Sequence, residues 1–336
     1  MRFIKEVRPV KIAVFRALQL GDMLCAVPAI RALKAALPQS SITLIGLPWA
    51  KSFVERFHHY FSGFIPFPGY PGLPEQAYDT KAVIAFLQEV VSRQFDLVIQ
   101  MHGNGSVINP LVSLFNSRYT AGFYQQGSYC PDPALFIPYP ETGSEIHRHV
   151  QMVHALGADV NDESLELPLF EEEIHRYEKL VKELKLKDKK YICVHAGARD
   201  FRRWWGAKNF SFVADKLCEK GYRIVLTGSN MEKEAVRMVE SGMKSSCVNL
   251  AGETDLGTLA LLIKNAKMLL SNDTGVSHVA AAMKTPSVVI FLISDPERWA
   301  PLNKELHKVI LPEEAYNPLN VLMVADIVLK QQGSIV

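Results

Sequence analysis

The segment of this sequence that suggests the most chemistry is Ser271–His278, which reads SNDTGVSH. It follows an apolar stretch typical of a strand and leads into a run of small residues typical of a helix. Because the first N–H groups of a helix have no partner within the helix, this order predicts an anion-binding turn at Thr274 and Gly275. Asp273 and His278 would flank the turn. For His278 taken alone, a half-buried histidine with ordinary hydrogen bonds is the favoured interpretation.

A second segment, His195–Arg199, also follows a predicted strand. Its small residues Gly197 and Ala198 would expose backbone N–H groups to phosphate oxygens. Arg202 and Arg203 come just after it, and a guanidinium suits a diphosphate because it offers two parallel donors. The alternative is a basic surface cluster beside two tryptophans that pack in the core.

A third turn, Thr227-Gly228-Ser229, ends the next predicted strand, and Glu232 lies in the first helical turn beyond it. The carboxylate of Glu232 would either complement the positive end of that helix or accept hydrogen bonds from ribose hydroxyls. This turn is a weak signal by itself, and it gains meaning only beside the other two.

Near the amino terminus, Gly21 and Asp22 lie between the first predicted strand and the first predicted helix. Asp22 has two interpretations. As a helix cap, its carboxylate would accept a backbone N–H and stabilise the helix by about 1 kcal/mol. As a general base, the same carboxylate would remove a proton from an attacking hydroxyl. Gly21 suits both, because it lets the backbone turn sharply or lets a substrate come close.

Several familiar catalytic motifs do not occur in the sequence. There is no GxGxxG after the first strand, no GxxxxGK[ST] and no Gly-x-Ser-x-Gly. Nicotinamide dehydrogenases, P-loop NTPases and serine hydrolases are therefore disfavoured. Without an HExxH motif or a convincing acidic pair, no metal site is predicted. Arginines and helix N-termini would then offset the charge of a leaving diphosphate.

The composition is that of an ordinary globular protein. A formal net charge of +2 gives no reason to expect nucleic-acid binding. The 5 cysteines are scattered without a CxxC pair, which predicts reduced thiols. No apolar run reaches the roughly 18 residues that a membrane span needs, and Arg16 interrupts the first apolar stretch, so no signal peptide is predicted. These features predict a cytoplasmic protein and leave peripheral membrane contact open.

Short β-branched runs alternate with amphipathic stretches along the chain, which predicts an α/β fold with mostly parallel sheets. A length of 336 residues allows two domains. The alternation pauses and restarts, so we predict domains over 1–165 and 166–336. Ligands of such sheets lie beyond the carboxyl ends of the strands, where most of the turns described above occur.

Three further elements are predicted from local pattern. The Pro-, Gly- and aromatic-rich stretch Phe64–Pro74 predicts a loop, and Ser287–Leu292 is the last clear strand. A terminal helix is predicted over 321–331, with Asn320 as its cap. This helix is a candidate for packing back on the first domain.

Four blocks of the chain resemble glycosyltransferase family 9, the ADP-heptose:lipopolysaccharide heptosyltransferases and their relatives. The blocks are Leu20–Leu33, Phe95–Asn104, His195–Arg199 with Arg202–Trp205, and Leu250–Thr254 with Asn272–Ala282. Their order and spacing cover most of the chain, and together they are more specific than any one alone.

The resemblance implies the GT-B type of α/β fold, in which two Rossmann-like domains with parallel sheets face each other across a cleft. It implies an acceptor on the N-terminal domain and a nucleotide sugar on the C-terminal domain. The implied reaction is an inverting, metal-independent transfer of a sugar, a heptose from ADP-heptose, to a lipopolysaccharide-core or related lipid-linked glycan. No cofactor is implied beyond this ADP-linked co-substrate. The implied location is the cytoplasm, with peripheral contact at the inner face of the membrane.

The resemblance also implies roles for individual residues. Asp22 looks like the general base, which favours that interpretation over the helix cap. Arg202 looks like the diphosphate contact, although Arg203 beside it leaves the assignment open, and Glu232 looks like the ribose contact. The other implied donor contacts are Gly197, Ala198, Thr227, Gly228, Ser229, Thr254, Asp273, Thr274, Gly275 and His278. The implied acceptor-side residues are Gly21, His102 and Asn104.

Two alternatives keep the same nucleotide-binding half. A nucleotide-sugar epimerase or hydrolase would need further acid and base residues opposite the donor sugar, and the sequence identifies none. A non-catalytic nucleotide-sugar-binding protein would keep the C-terminal turns and give no role to Asp22. A transfer assay separates the three, because it distinguishes product on an acceptor, product without an acceptor, and binding alone.

Overall fold

The computed structural model describes residues 3–331 of the chain. Within this range the chain forms two compact units, the first ending at Ser164 and the second beginning at Leu165. Each unit is built around its own parallel sheet with its own apolar core, so each is described by itself.

The first unit contains a 6-stranded parallel sheet. Its strands are β1 (Lys11–Phe15), β2 (Ser41–Gly46), β3 (Gly63–Pro66), β4 (Leu97–Gln100), β5 (Tyr119–Tyr124) and β6 (Phe136–Pro138). They lie in the order β3-β2-β1-β4-β5-β6. On the central strand, Val14 pairs with Leu44 on one side and with Ile99 on the other. All three residues are fully buried, as expected where both faces of a parallel sheet are covered.

The helices of the first unit are α1 (Phe3–Val7), α2 (Leu20–Ala36), α3 (Ala50–Arg56), α4 (Thr80–Arg93), α5 (Ile108–Ser113) and α6 (Glu145–Leu156). The helix α6 is capped at its start by Ser144, whose side chain accepts the N–H of His147 at 3.0 Å, and at its end by Gly157 with φ 106°. Such a left-handed end suits glycine because it has no Cβ. The helices α2 and α6 pack against each other, so the first residues of α6 come close to the start of α2.

The second unit contains another 6-stranded parallel sheet. Its strands are β7 (Tyr191–His195), β8 (Arg223–Thr227), β9 (Val248–Asn249), β10 (Met268–Asn272), β11 (Ser287–Ile290) and β12 (His307–Ile310). They lie in the order β12-β11-β10-β7-β8-β9. The helices are α7 (Glu171–Leu184), α8 (Ala207–Glu219), α9 (Lys233–Gly242), α10 (Leu256–Asn265), α11 (Gly275–Ala282), α12 (Pro296–Trp299), α13 (Pro312–Ala315) and α14 (Pro318–Gln331).

Both sheets follow one rule of connection. In each unit the first strand lies in the middle, the next two strands extend the sheet to one side, and the last three extend it to the other. This is the strand order of the Rossmann fold. The direction of winding reverses between β1 and β4 in the first unit and between β7 and β10 in the second. We call these two places the first and second switch points.

The structure corrects three predictions about elements. The segment predicted as a loop contains part of β3, and a further strand, β12, follows the strand predicted to be the last. Both are edge strands of 4 residues, which is too short for an alternating pattern to stand out in the sequence. The helix α14 begins at Pro318, so Asn320 lies inside it and is not its cap. Proline is favoured in the first turn of a helix, where its missing N–H costs nothing.

The helix α14 packs in the second unit, against α8 and the strands β10, β11 and β12. Its buried side chains, Val321, Ala325, Val328 and Leu329, belong to the apolar core of that unit. Packing of this helix on the first domain stays a prediction.

Candidate functional site

Ligands of Rossmann-like sheets bind beyond the carboxyl ends of the strands at a switch point. At the first switch point, β1 leads to Arg16 and β4 leads to Met101. At the second, β7 leads to Ala196 and β10 leads to Asp273. Most of the residues predicted to do chemistry therefore follow the two central strands of a sheet. The Thr227–Glu232 turn follows the next strand, β8, and Thr254 follows the edge strand β9.

Asp22 lies in the first turn of α2, at its third residue. The helix begins after Gln19, which is its N-cap, so Asp22 is not the cap residue. Burial has the largest influence on the pKa of the Asp22 carboxyl and raises it, and the charge of Glu145 raises it as well. The charge of Arg16 and backbone hydrogen bonds at Gln19 and at Asp22 itself lower it. The net effect is a raised pKa. A carboxylate with a raised pKa is a stronger base, which suits removal of a proton from an alcohol.

The most deeply buried charge near Asp22 is Arg16, whose residue is 0% exposed. Its Nε and Nη2 donate to the carbonyl oxygen of Asp22 at 3.0 and 2.7 Å. Its other contacts are the carbonyl oxygen of Met101 and, at 3.2 Å, Oε1 of Glu145. Arg16 was not predicted as part of a site, although a charge directly after an apolar strand is a signal that the sequence carries.

His102 follows β4 and links two chain segments of the first unit. The N–H of Ala17 donates to its Nδ1 at 3.2 Å, so the ring hydrogen lies on Nε2. That Nε2 lies 3.5 Å from Oε1 of Glu75. Burial raises the pKa of Glu75, but hydrogen bonds from His102 and from its own backbone lower the pKa by more than burial raises it. The net effect is a lowered pKa. The second carboxylate oxygen of Glu75 is buried without a hydrogen-bond partner among the described residues.

Glu75 was missed by the sequence analysis, because it lies in a Pro- and Gly-rich stretch with no motif. The other two predicted acceptor-side residues have ordinary local roles. Asn104 donates to Oε1 of Gln125 at 2.9 Å and accepts the N–H of Ser106 at 3.1 Å. Gly21 is buried in the first turn of α2.

At the second switch point, the side chain of Asn272 ties three segments together. It is fully buried at the end of β10. Its Nδ2 donates to the carbonyl oxygens of Ala196 and Gly197 at 2.7 and 3.3 Å, and its Oδ1 accepts the N–H of Trp205 at 3.1 Å. Asn272 belongs to the predicted SNDTGVSH segment, but no role of its own was predicted for it.

The two adjacent arginines occupy different environments. Arg202 forms hydrogen bonds to Asp200 at 2.7 to 3.1 Å, with 66% of its side chain exposed. Arg203 reaches the β10–α11 turn, where its Nη1 lies 3.3 Å from Oδ2 of Asp273, and its Nε is buried without a hydrogen-bond partner in the described range. The hydroxyl of Ser294 also donates to this Asp273 oxygen.

Thr274 is the N-cap of α11, and its side chain makes no capping hydrogen bond. Its Oγ1 is buried and has no partner within residues 3–331. The helix starts at Gly275, so its first N–H groups lie beside Arg203 and the Thr274 hydroxyl. A cation, a hydroxyl and a helix N-terminus at one turn make an arrangement suited to a phosphate group.

Glu232 is held beneath the loop that follows β7. Its Oε2 accepts the N–H of Ser229 at 2.7 Å and lies 3.6 Å from Nε2 of His195, whose Nδ1 is 3.1 Å from Oγ1 of Thr227. Burial raises the pKa of this carboxyl, but His195 and Ser229 lower it more, to about 2. A Cβ on Gly197 would lie 2.4 Å from Cδ of Glu232, so a larger residue at 197 would displace the carboxylate.

The remaining predicted donor residues are placed as follows. His278 is 4% exposed within α11. Together with burial, the larger cause, His278 lowers the pKa of His307 to about 4. Thr254 lies before the cap of α10, and the N–H of Gly252, two residues earlier, donates to the carbonyl oxygen of Gly228 at 2.7 Å. The Gly252–Thr254 segment is therefore joined to the turn that follows β8.

Three further observations concern other kinds of site. Among residues 3–331, no three His, Cys, Asp or Glu side chains are grouped as metal ligands would be. No helix in that range combines the length and apolar character needed to cross a bilayer. A groove of about 680 Å³ runs between α8 and α9, lined by residues such as Phe212, Asp215 and Arg237, and none of the predicted donor residues lines it.

Comparison with curated proteins gives relatives over most of the chain. Lipopolysaccharide heptosyltransferase 2 of Salmonella typhimurium is 25% identical over 313 residues, which are 90% of this chain and 88% of the relative. Lipopolysaccharide heptosyltransferase 2 of Escherichia coli K12 is 33% identical over 111 residues, which are 32% of each chain.

Solved structures share the fold at lower identity. A family 9 glycosyltransferase from Veillonella parvula has a TM-score of 0.81 at 21% identity, covering 96% of this chain and 97% of that one. The ADP-heptose lipopolysaccharide heptosyltransferase II of E. coli has a TM-score of 0.76 at 22% identity, covering 97% and 100%. The predicted GT-B type of α/β fold, with two Rossmann-like units, is confirmed.

The match to the family itself is broad. Residues 83–322, more than two thirds of the chain, match the family described as Glycosyltransferase family 9 (heptosyltransferase). This range contains the second switch point completely and the β4 side of the first. The predicted family is confirmed: the protein belongs to glycosyltransferase family 9 and is a glycosyltransferase.

Proposed function

We propose that the protein transfers a heptose from ADP-heptose to a lipopolysaccharide-core or related lipid-linked glycan, with inversion at the anomeric carbon and without a metal ion. The observation that carries this proposal is the β10–α11 turn, where Arg203, the Thr274 hydroxyl and the start of α11 lie side by side. The choice of sugar and acceptor is supported by relatives named lipopolysaccharide heptosyltransferase.

The second unit binds the donor in this proposal. The diphosphate lies against the N–H groups of Gly275 and its neighbours, the Thr274 hydroxyl and the Arg203 guanidinium. Arg203 is preferred to Arg202 because Arg202 is engaged with Asp200 and mostly exposed. The contacts of Asp273 with Arg203 and Ser294 fix the turn, and His278 in the same helix supplies a further donor toward the phosphate side.

The nucleoside lies toward the turn after β8. Glu232 is ionised at neutral pH because its pKa is about 2, so its carboxylate accepts hydrogen bonds from ribose hydroxyls. The backbone of Gly197, Ala198, Gly228 and Ser229 and the side chains of Thr227 and Thr254 complete this side. Gly197 is required in the loop, because a larger residue would displace Glu232.

The first unit supplies the base. The Asp22 carboxylate removes the proton from the acceptor hydroxyl as that oxygen bonds to the anomeric carbon of the donor. The bond from that carbon to the diphosphate breaks at the same time, and ADP leaves with the electron pair. One base and a single displacement give inversion, by the logic that applies to inverting glycosidases. Arg203 and the α11 N-terminus stabilise the charge that grows on the diphosphate, which removes the need for a metal ion.

The partners follow from this chemistry. The protein meets a nucleotide-sugar donor and a lipid-linked glycan, it takes no nucleic acid, and it requires no cofactor besides the donor. Gly21, His102 and Asn104 stay our proposed acceptor-side residues, and Glu75 joins them. We propose that the protein works in the cytoplasm, at the inner face of the membrane, where it would meet a lipid-linked acceptor.

A transfer assay tests the proposal. The protein is incubated with ADP-heptose and a heptose-deficient lipopolysaccharide acceptor, and products are followed by mass spectrometry, with parallel reactions containing UDP- or GDP-sugars. We expect ADP release and a mass increase of one heptose on the acceptor. Release of heptose without acceptor would indicate a hydrolase, and a change in the donor sugar alone would indicate an epimerase. Binding of ADP without any turnover would indicate a non-catalytic protein.

A further inference from the structure

A buried group of charges surrounds the start of α2, and the reaction described above uses only one member of it. Arg16 is 0% exposed, and Glu145, at the start of α6, is 4% exposed. Their atoms Nη2 and Oε1 are 3.2 Å apart. These residues are 129 positions apart in sequence, so only the packing of α6 against α2 brings them together.

Glu145 is held on its other side as well. Its Oε2 lies 3.1 Å from Nη1 of Arg148, and its Oε1 lies 3.2 Å from Nε2 of His149. Both neighbours are on α6, and both are almost fully buried. A carboxylate at the first residue of a helix is also favoured by the helix dipole. Glu145 therefore keeps a negative charge fixed beside Arg16.

Stability alone is a weak reason for such a pair, because taking two charges out of water costs about as much as their attraction returns. An apolar pair of similar volume is often as stable or more stable. The contacts of Arg16 point to another reason: two of its hydrogen bonds end on the carbonyl oxygen of Asp22, the residue that carries the proposed base.

We propose that the buried Arg16–Glu145 pair positions Asp22 for proton abstraction, and that neither residue of the pair contacts the substrate. The inference rests on the proposed role of Asp22 as general base. Arg16 fixes the first turn of α2 by bonding the Asp22 carbonyl and the Met101 carbonyl at once, so the ends of β1 and β4 are held in one geometry. Glu145 orients the guanidinium that does this.

The pair also sets the charge around the base. The charged groups that act on Asp22 are Arg16, which lowers its pKa, and Glu145, which raises it. Arg148 and His149 face Glu145 from α6, and His102 faces Ala17 from the end of β4. Because Glu145 offsets Arg16, Asp22 escapes the full acidifying effect of a buried guanidinium and stays a stronger base.

Two variants separate charge from geometry. Glu145→Gln removes the negative charge and keeps the shape, so the pKa of Asp22 should fall, because the charge that raises it is gone. The acidic limb of the kcat–pH profile should move to lower pH by the same amount, since Asp22 must lose its proton to act. Arg16→Lys keeps the positive charge but replaces the planar guanidinium, whose Nε, Nη1 and Nη2 make separate hydrogen bonds, by a single compact ammonium that cannot reproduce their spacing. It should lower kcat about tenfold or more and leave the acidic limb in place.

The measurements are the kcat–pH profile and the pKa of Asp22 from a carbon-13 NMR titration of its carboxyl, assigned by its loss in Asp22→Ala. ADP affinity should be unchanged in every variant. Asp159→Asn is the matched control, because it removes a carboxylate from the exposed Lys5–Asp159 pair of the same unit. It should change neither kcat nor the profile.

The results decide between distinct outcomes. A folded Glu145→Gln protein with an unshifted Asp22 pKa, or an Arg16→Lys protein with full kcat, overturns the positioning role. If Glu145→Gln does not fold, Arg16→Lys decides by its kcat and its unshifted acidic limb. Wild-type turnover in Asp22→Ala overturns the proposed general base instead, whereas the NMR titration still reports on the pair.

Discussion

The two switch points have the same strand order, yet the arginine at each one differs in its burial and in its hydrogen-bond partners. At the first, Arg16 is fully buried, faces Glu145 and bonds backbone carbonyls, so no part of it is left for a ligand. At the second, Arg203 keeps 36% of its side chain exposed and its Nε has no partner among residues 3–331. The same strand order therefore carries a fully paired arginine next to the proposed base, Asp22, in one unit and a partly unpaired arginine in the other.

The difference matters because topology alone does not distinguish the two units. A switch point predicts where a ligand binds and gives no information about the charge of that ligand. The charge preference comes from which groups are already satisfied within the protein. At the first switch point the arginine is paired, so the most basic group left is a carboxylate. At the second, the arginine is partly unpaired and lies beside a helix start, so the site favours an anion.

The largest effect should come from Asp22→Ala. It removes the proposed general base and leaves the proposed donor site of the other unit intact, so kcat should fall by about 10²–10⁴-fold. ADP affinity, measured by calorimetry, should stay within twofold or so of wild type. A variant that transfers sugar at the wild-type rate would remove Asp22 from the mechanism.

The adjacent arginines offer a matched pair. Arg203→Ala should weaken ADP binding about 10- to 100-fold, since a hydrogen bond to a charged group contributes about 1.5–3 kcal/mol. Arg202→Ala should change it less than about threefold, because its contact with Asp200 is a surface pair. Equal losses in both variants, measured by calorimetry, would contradict the distinction between the two switch points.

Lowering the pH should destabilise the fold of the second unit, because Glu232 loses its negative charge. Its pKa in the folded protein, about 2, is below the ordinary 4.5. The ionised carboxylate therefore stabilises the fold above about pH 4.5, and this contribution is lost as the pH falls toward 2. Glu232→Gln should lower the free energy of unfolding by about 2–3 kcal/mol at pH 7.

The difference between wild type and Glu232→Gln should shrink steadily below pH 4.5, as measured by urea unfolding at a series of pH values. Glu234→Gln is the control, because that side chain is 79% exposed. A difference that stays constant down to pH 2 would mean that the charge of Glu232 is not what stabilises the unit.

The smallest expected effect concerns the acceptor. Glu75 keeps one buried carboxylate oxygen without a hydrogen-bond partner in the described range. If that oxygen accepts from a hydroxyl of the acceptor, Glu75→Gln should raise the acceptor KM about three- to tenfold, a loss of about 1 kcal/mol. The donor KM of Glu75→Gln should not change. The control is Glu89→Gln, which alters an exposed ion pair on α4 and should change neither the acceptor KM nor the donor KM. A rise in both KM values of Glu75→Gln would point to a general loss of structure.

The sequence predicted the parts of the site that are local. Turns such as Thr274-Gly275 carry their own signal, because a strand, small polar residues and a helix follow one another along the chain. The α/β class and the twin Rossmann-like units could also be predicted, since alternation of strands and helices is a chain-local pattern. The role of each site residue stays a prediction.

What the sequence could not predict depends on contacts between distant segments. The pairing of Arg16 with Glu145 depends on how α6 packs, and the link from Glu75 to His102 depends on the path of a long loop. The residues next to Arg202 and Arg203 in the sequence do not distinguish the two, because they differ in the direction in which each side chain points from one short turn. The edge strand β3 was missed for a related reason: its 4 residues are too few to show an alternating pattern, and only the pairing with β2 identifies it.

The Asn272 amide has a consequence for how the preference for a donor can change. Its one NH₂ group and one oxygen are both engaged, with the loop after β7 and with the backbone of Trp205. Aspartate would lack the donor and leucine would lack both groups, so neither could hold the two segments together. A descendant of this protein that accepts a different nucleotide should therefore keep the turn proposed to bind the diphosphate and vary the side chains near Thr227 and Glu232.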